Sequence, residues 1–375
     1  MSEMTDRSNE LARTVRDAAD RGQRLWIAGG GTQAAVTRPE PLADDVEVLD
    51  VRDHRGITHL APSELVVSVR AGTPLAELQA ELAAADMMLP FEPALPGPQA
   101  TVGGMLAVGM SGPRRPWTAS QRDAVLGTRV INGSGEILRF GGEVMKNVAG
   151  FDVSRLMAGS LGGLGVLLEV SFKLLPRPAH EITLQRDLDA AGFIDAARDL
   201  GRSALPLSGL AWREGRMHLR LSGGEQAVTE AAERLGDAPD PDGEAFWAGL
   251  RDRSSAWFTR DPAPGERLWR ISLPPATPPL ELPGEWLLNW GGGERWLHSD
   301  ADPARVRAAV TDAGGHARIW RGDAGSAPHL QPRGHALETL EARVRRAMDP
   351  EGIFHSPLLP DLSVSAPAPA TATGA

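Results

Sequence analysis

Apolar and polar positions change texture about halfway along the chain. In the first part, Leu11, Val15 and Ala18 fall on one helical face, which predicts a helix capped by Ser8 and ended by Gly22. "RLWIA" (24–28) and "VEVLD" (46–50) read as short buried strands on either side of a glycine run. "LVVSVRAG" (65–72) is a further strand, and "TPLAELQAELAAAD" (73–86) a helix with Thr73 as cap and Pro74 in its first turn. "AVLGTRVINGSGEILRF" (124–140) is a hairpin turning at Asn132, Gly133 and Gly135. "VLLEVSFKLLP" (166–176) alternates in its middle, as a half-buried strand does.

After Pro176-Arg177-Pro178 the order becomes strand, helix, strand, strand, helix: "EITLQ", "DLDAAGFIDAARDLG", "LSGLAWR", "RMHLRL", "GEQAVTEAAERLG". "LWRISL", "EWLLNW", "ERWLHS", the helical "DPARVRAAVTDAG" and "ARIW" follow, an order that suits an α+β unit with an antiparallel sheet. "DAPDPDG" and "LPPATPPLELPG" read as surface loops, and a last helix (about 334–347) leads into "MDPEGIF". The Ala/Pro/Thr-rich tail "DLSVSAPAPATATGA" is expected to be disordered.

Composition narrows the chemistry. A formal net charge of -10 argues against nucleic acid or anionic lipid as the main partner. The chain has no cysteine, which excludes disulfides, thiolate nucleophiles and self-ligated iron–sulfur clusters, and no tyrosine to act as a phenolic acid or base. The polar start "MSEMTDRSNE" is unlike a signal peptide, and no apolar run approaches the roughly 18 residues of a membrane span. These features predict a cytoplasmic protein that reaches a membrane only through a partner. The nine histidines form no H-x-x-x-H or H-E-x-x-H pair, so no metal site is expected.

The glycines carry the candidate site. Gly29, Gly31 and Ala34 match G-x-G-x-x-A after a strand, with Asp50 ending the next strand, as in a dinucleotide fold. A Rossmann crossover needs a helix of about ten residues there. The segment "TQAAVTRPEPLADD" leaves at most two turns before Pro39 and Pro41, which weighs against NAD. There is no P-loop, and Pro113 spoils a G-x-S-x-G elbow at "GMSGP". Two more glycine clusters, "ATVGGMLAVGMSG" (100–112) and "AGSLGGLG" (158–165), lie at comparable positions. Three such loops suggest one long ligand lying against backbone amides, with N–H groups forming anion nests.

"RLWIAGGGTQ", "LPFEP…ATVGGMLAVGMSG", "VMKNVAGFDVSRLMAGSLGGLGVLLEVSFKLLPRP" and "MDPEGIF" together resemble the vanillyl-alcohol oxidase (PCMH-type) family of FAD-binding domains. Within it the likeness is to the FAD-binding subunits of glycolate oxidases, carried also by "LPFEPALPGPQATVGGMLAVGMSGPRRPWTAS" and "EWLLNWGGGERWLH". The resemblance implies an α+β fold: a two-subdomain FAD-binding domain over 1–178, an α+β antiparallel-sheet cap over 179–330, a C-terminal return over 331–360, and the tail 361–375. It further implies that Gly29, Gly30, Gly31, Thr32 and Gln33 wrap the FAD pyrophosphate. Thr101, Val102, Gly103 and Gly104 would run beside the flavin and ribityl chain, with Gly109, Ser111 and Gly112 close behind. Gly159, Ser160, Gly162, Gly165 and Val166 would sit near the adenine half, braced by Asn147, Gly150 and Asp152. Asp152 has a second reading as a helix cap, and Lys146 one as a solvated charge. Thr32 stands where some relatives carry the histidine that attaches FAD covalently, so FAD is expected to be non-covalent.

Departures from the family bear on activity. The H-x-x-D/E-G-N-x-H motif of relatives that oxidise 2-hydroxy acids is missing, and "FHSPLLP" puts His355 where asparagine is expected. His298 and His355 read as surface or packing residues, and no catalytic residue is assigned. Arg114 and Arg115 either grip a carboxylate bidentately or meet a partner subunit. Trp286, Trp290 and Trp296 read as a core or interface cluster. The resemblance implies a glycolate oxidase subunit working with a paralogous FAD subunit and an iron–sulfur subunit. A stand-alone FAD enzyme for another small hydroxylated substrate, and an assembly subunit without flavin, stay open beside it.

Overall fold

Ser8 begins the first helix rather than capping it. The computed structural model describes residues 5–37, 41–142, 152–360 and 362. In it α1 (Ser8–Arg21) has Arg7 at the N-cap position, the Asp6 carboxylate takes the Ser8 N–H at 2.9 Å, and Gly22 ends the helix in the left-handed conformation, φ 62°. α1 packs its apolar stripe against β1 (Arg24–Ala28) and β2 (Val46–Asp50), which pair in parallel. Only a one-turn helix, Ala34–Thr37, stands in the described part of their connection, well short of a Rossmann crossover helix. Asp50, which that fold would use on a ribose, is held by the Arg52 guanidinium.

β3 (Ile57–Ala61), β4 (Val66–Arg70), β5 (Val125–Ile131), β6 (Ile137–Gly141) and β7 (Val166–Lys173) form a five-stranded antiparallel sheet in the order β3-β4-β7-β5-β6. β7 is not half-buried as its alternation suggested. It is central, with Val170 and Phe172 packed toward α2 (Leu75–Ala84) and α3 (Val102–Val108), and Val166 and Leu168 toward α1. Its polar Ser171 tolerates burial because Ser68 shares a hydrogen bond with it at 2.7 Å. Pro74, not Thr73, holds the N-cap of α2; the Thr73 hydroxyl instead accepts the Gly56 N–H at 2.9 Å. The hairpin between β5 and β6 turns as expected, with Gly135 at φ 72°.

The second half of the chain builds an eight-stranded sheet. Its elements are β8 (His180–Asp187), α4 (Ala190–Leu200), β9 (Leu207–Arg213), β10 (Arg216–Gly223), α5 (Glu225–Leu235), α6 (Gly243–Asp252), β11 (Arg267–Ser272), β12 (Glu285–Asn289), β13 (Glu294–Ser299), α7 (Pro303–Asp312) and β14 (His316–Arg321). From a two-residue edge strand, Ala238–Pro239, the order is β8-β10-β9-β12-β13-β11-β14, antiparallel throughout. α6 was not apparent from the sequence pattern; it buries Trp247 and Leu250 among Trp257, Trp296 and Trp320. Trp290 and Trp296 are buried and Trp286 partly so, a core role as expected. His298 is a packing residue, its Nε2 2.8 Å from the Trp257 carbonyl. After α8 (His335–Met348), Phe354 bridges to Leu25, and the His355 N–H donates to the Leu25 carbonyl at 2.8 Å.

Ion pairs and hydrogen bonds join the two sheets. Arg114 is neither a free carboxylate grip nor a partner contact: its guanidinium is buried on Glu181 at 2.8 Å and on Ser222 at 3.1 Å. The Trp290 indole N–H donates to the Gly112 carbonyl at 2.9 Å, and Arg115 stacks over that ring at 4.4 Å. Among the described residues no helix is long and apolar enough to cross a membrane. Nor, among them, do three or more His, Cys, Asp or Glu side chains gather as a metal site would require.

Candidate functional site

The three glycine loops meet in one cleft. The turn after β1, the stretch from Ala94 to Met110 that includes the start of α3, and the loop 160–165 before β7 line a space of about 1100 Å³, part of it open to solvent. Of the expected residues, Gly29, Gly30, Gly31, Thr32, Gln33, Thr101, Gly103, Gly104, Ser160, Gly162 and Gly165 all lie on its wall.

The glycines do different work. A Cβ on Gly29 would collide with the Thr101 hydroxyl and one on Gly30 with the Gln99 carbonyl, so these two let the first loop lie directly on the second. Gly31 has open space around it and a left-handed φ of 69°. Among the described residues, the N–H groups of Gly29, Gly30, Gly31, Thr32 and Gln33 meet no protein acceptor. A run of unpaired amides at the end of a strand is an anion nest. The first turn of α3 is different, because its amides are already used. Val102 donates to Thr73, Gly103 to Ala71 and Gly104 to the Thr101 side chain, at 3.0, 2.7 and 3.2 Å. That turn offers a close-packed surface rather than donors.

Several expected residues sit off the cleft wall. Val102 and Val166 are fully buried in the cores of the first sheet. Gly109 and Gly159 support the cleft from behind by packing against one another, where a Cβ on Gly109 would lie 2.7 Å from Gly159. The Ser111 hydroxyl takes the Gln121 N–H at 3.0 Å, and Gly112 packs on the Glu92 backbone. Asp152 occupies the N-cap position of the one-turn helix Val153–Leu156, but its carboxylate pairs with Arg155 at 3.4 Å and caps nothing. Asn147, Gly150 and Lys146 lie outside the described residues, as does the expected tail apart from Leu362.

Other lining residues had no local signal. Trp26, Ala71, Ala94, Pro96, Met105, Val108, Met110 and Ser356 supply apolar and hydroxyl surface. Arg253, just past α6, is the one charged side chain among the described residues lining the cleft. Burial pushes its guanidinium down to about 10. No histidine, aspartate, glutamate or lysine lines the cleft among the described residues.

A model of the FAD binding domain matches residues 5–141. Glycolate oxidase subunit GlcE of Escherichia coli (strain K12) is 44% identical over 351 residues, covering 93% of this chain and 96% of that protein. The chain belongs to the glycolate oxidase subunit GlcE family. With the FAD-binding domain, this membership places it among FAD-dependent oxidoreductases, as the family resemblance implied. Glycolate oxidase subunit GlcD of Bacillus subtilis (strain 168) is 39% identical over 94 residues, 24% of this chain and 20% of that protein. The likeness to GlcD is thus confined to a segment. The solved structure of an alkyldihydroxyacetonephosphate synthase superposes with a TM-score of 0.62, covering 92% of this chain and 73% of that one at 14% identity. At that identity the match speaks for the fold alone, a mixed α+β architecture.

Proposed function

We propose that the chain is the FAD-binding GlcE-type subunit of a glycolate oxidase complex, in which glycolate is oxidised to glyoxylate and electrons pass to partner subunits. The observation that carries this is the run of amides at Gly29–Gln33, unpaired among the described residues, on residues that line the same cleft as Gly103, Gly104 and Gly162. Residues 1–178 with the return 331–360 would form the cofactor-binding part and 179–330 the cap. The amides would take the pyrophosphate, the α3 loop would flank the flavin and ribityl chain, and Ser160–Gly165 the adenine half. Asn147, Gly150 and Asp152 would brace that last loop.

FAD would supply the two-electron acceptor, held without a covalent bond. The lining has Thr32 and other hydroxyls but no histidine, cysteine or tyrosine among the described residues to attach a flavin. An α-hydroxyl proton needs an acceptor within hydrogen-bond reach, and the cleft wall offers no titratable base among the described residues. Turnover would therefore depend on a paralogous FAD subunit. A cysteine-free chain cannot ligate a cluster, so an iron–sulfur subunit would carry electrons onward. The assembly would work in the cytoplasm and meet a membrane only through those partners.

An absorbance spectrum of the purified chain, before and after anaerobic glycolate, tests this. The expected result is a yellow protein that stays oxidised alone and bleaches once partner subunits are added. Absence of flavin bands even after adding FAD would overturn the cofactor reading, and bleaching by glycolate alone would overturn the dependence on partners.

A further inference from the structure

The cleft wall is backbone, apolar groups and hydroxyls with a single exception. Arg253 lines it, and the Arg253 Nη2 atom is closed off from solvent with no acceptor among the described residues. A charged donor left unmade in a buried place is costly, so this one marks where an acceptor belongs.

The nearby carboxylates are already taken. Asp252 binds the Arg251 guanidinium at 2.7 Å and the Leu95 N–H at 2.8 Å. Glu294 is held by Arg270 at 2.7 Å and by Asn289 at 2.9 Å. Arg253 is also held in place. It closes α6 in a left-handed conformation, φ 54° and ψ 39°, which a residue with a side chain adopts only when its surroundings impose it. Its guanidinium lies 5.2 Å over the Trp320 ring. The Asp252–Leu95 bond moors this helix end to the segment whose Ala94 and Pro96 line the cleft. Arg270 and Arg318 repel Arg253, while Glu294 and Asp252, both already hydrogen-bonded elsewhere, attract it from a distance.

We infer that Arg253 anchors a small carboxylate anion, of the 2-hydroxy or 2-oxo acid class, in the cleft. The class of acid rests on the glycolate oxidase reading; the anion site rests on the geometry. A guanidinium fork matches a carboxylate in shape and charge, and binding through it needs no base in the cleft.

Calorimetric titration of the full-length protein with oxalate, which cannot be oxidised by loss of an α-hydrogen, separates binding from turnover. Flavin content and the unfolding midpoint are followed in parallel. The wild type is expected to bind oxalate, Arg253→Met to bind it about tenfold or more weakly, and Arg253→Lys to recover part of the loss, with flavin content unchanged. Should Arg253→Met fail to fold, a weakened but folded Arg253→Lys supports the assignment, and unchanged affinity in it overturns it. Equal affinity in wild type and Arg253→Met overturns it, as does a variant that loses flavin while binding oxalate normally. A flavin-loaded wild type that ignores oxalate also overturns it and leaves the glycolate oxidase reading standing. A flavin-free wild type that binds oxalate through Arg253 supports it and overturns that reading.

Discussion

Arg220 on β10 donates both terminal nitrogens to the Glu92 carboxylate, at 2.8 and 2.9 Å, across 128 residues of sequence. Glu92 also takes the Arg114 N–H at 3.0 Å, so one carboxylate ties the second sheet to the wall behind the cleft.

Replacing one partner of such a buried pair is expected to destabilise the chain by about 3 kcal/mol or more, because the other charge stays buried and unmatched. Glu92→Gln should lower the unfolding midpoint in urea, and a Glu92→Met, Arg220→Met double variant should recover part of the loss. Burial pushes the Glu92 carboxyl up, but the Arg220 and Arg114 charges outweigh it and hold it below its ordinary value. Its contribution is therefore present above the ordinary glutamate pKa and lost as pH falls through the depressed one. An unchanged midpoint in Glu92→Gln would show that the pair does not hold the sheets together.

Gly30 and Gly31 are adjacent but answer to different constraints. A methyl group at Gly30 runs into the Gln99 carbonyl, which is main chain and cannot rotate aside. At Gly31 it meets open space and only the cost of a left-handed residue, about 1–2 kcal/mol. Gly30→Ala should therefore separate the first two loops and lose bound flavin, while Gly31→Ala keeps the fold. The flavin-to-protein ratio and the unfolding midpoint of the two variants check this; full flavin content in Gly30→Ala would refute the loop contact.

His54 is fully buried, accepts the Arg7 N–H on Nδ1 at 3.0 Å, and is pushed by burial down to about 4. In the unfolded chain it titrates at about 6.5. The unfolded state therefore binds the extra proton between these values, and stability is complete above about pH 6.5 and falls toward pH 4, by an amount on the order of 3 kcal/mol. Unfolding of the wild type and of His54→Phe across that range measures it. A variant retaining the wild-type slope would assign the pH dependence to other groups.

Much of this arrangement was legible along the chain, because turn chemistry and periodicity act between near neighbours. Asn132–Gly135 announced a hairpin, and the glycine runs announced loops where backbone comes close to a ligand. Proline after the first run ruled out a long crossover helix. What sequence alone could not decide was the use to which each residue is put across the fold. Val102 and Gly104 sit in one motif, yet one enters the core and the other the cleft, since a helix turns successive side chains to different faces. β7 alternates like a half-exposed strand but is covered on both faces by helices far from it in sequence. Arg114 read as either a carboxylate grip or a partner contact until folding supplied Glu181. Arg253, in an unremarkable "LRDRSS", reaches the cleft only because α6 docks on Leu95. Local conformation is set by the side chains and turn residues of a few consecutive positions. Burial, charge pairing and the composition of a cleft depend on which distant segments pack together, and only the tertiary structure settles that.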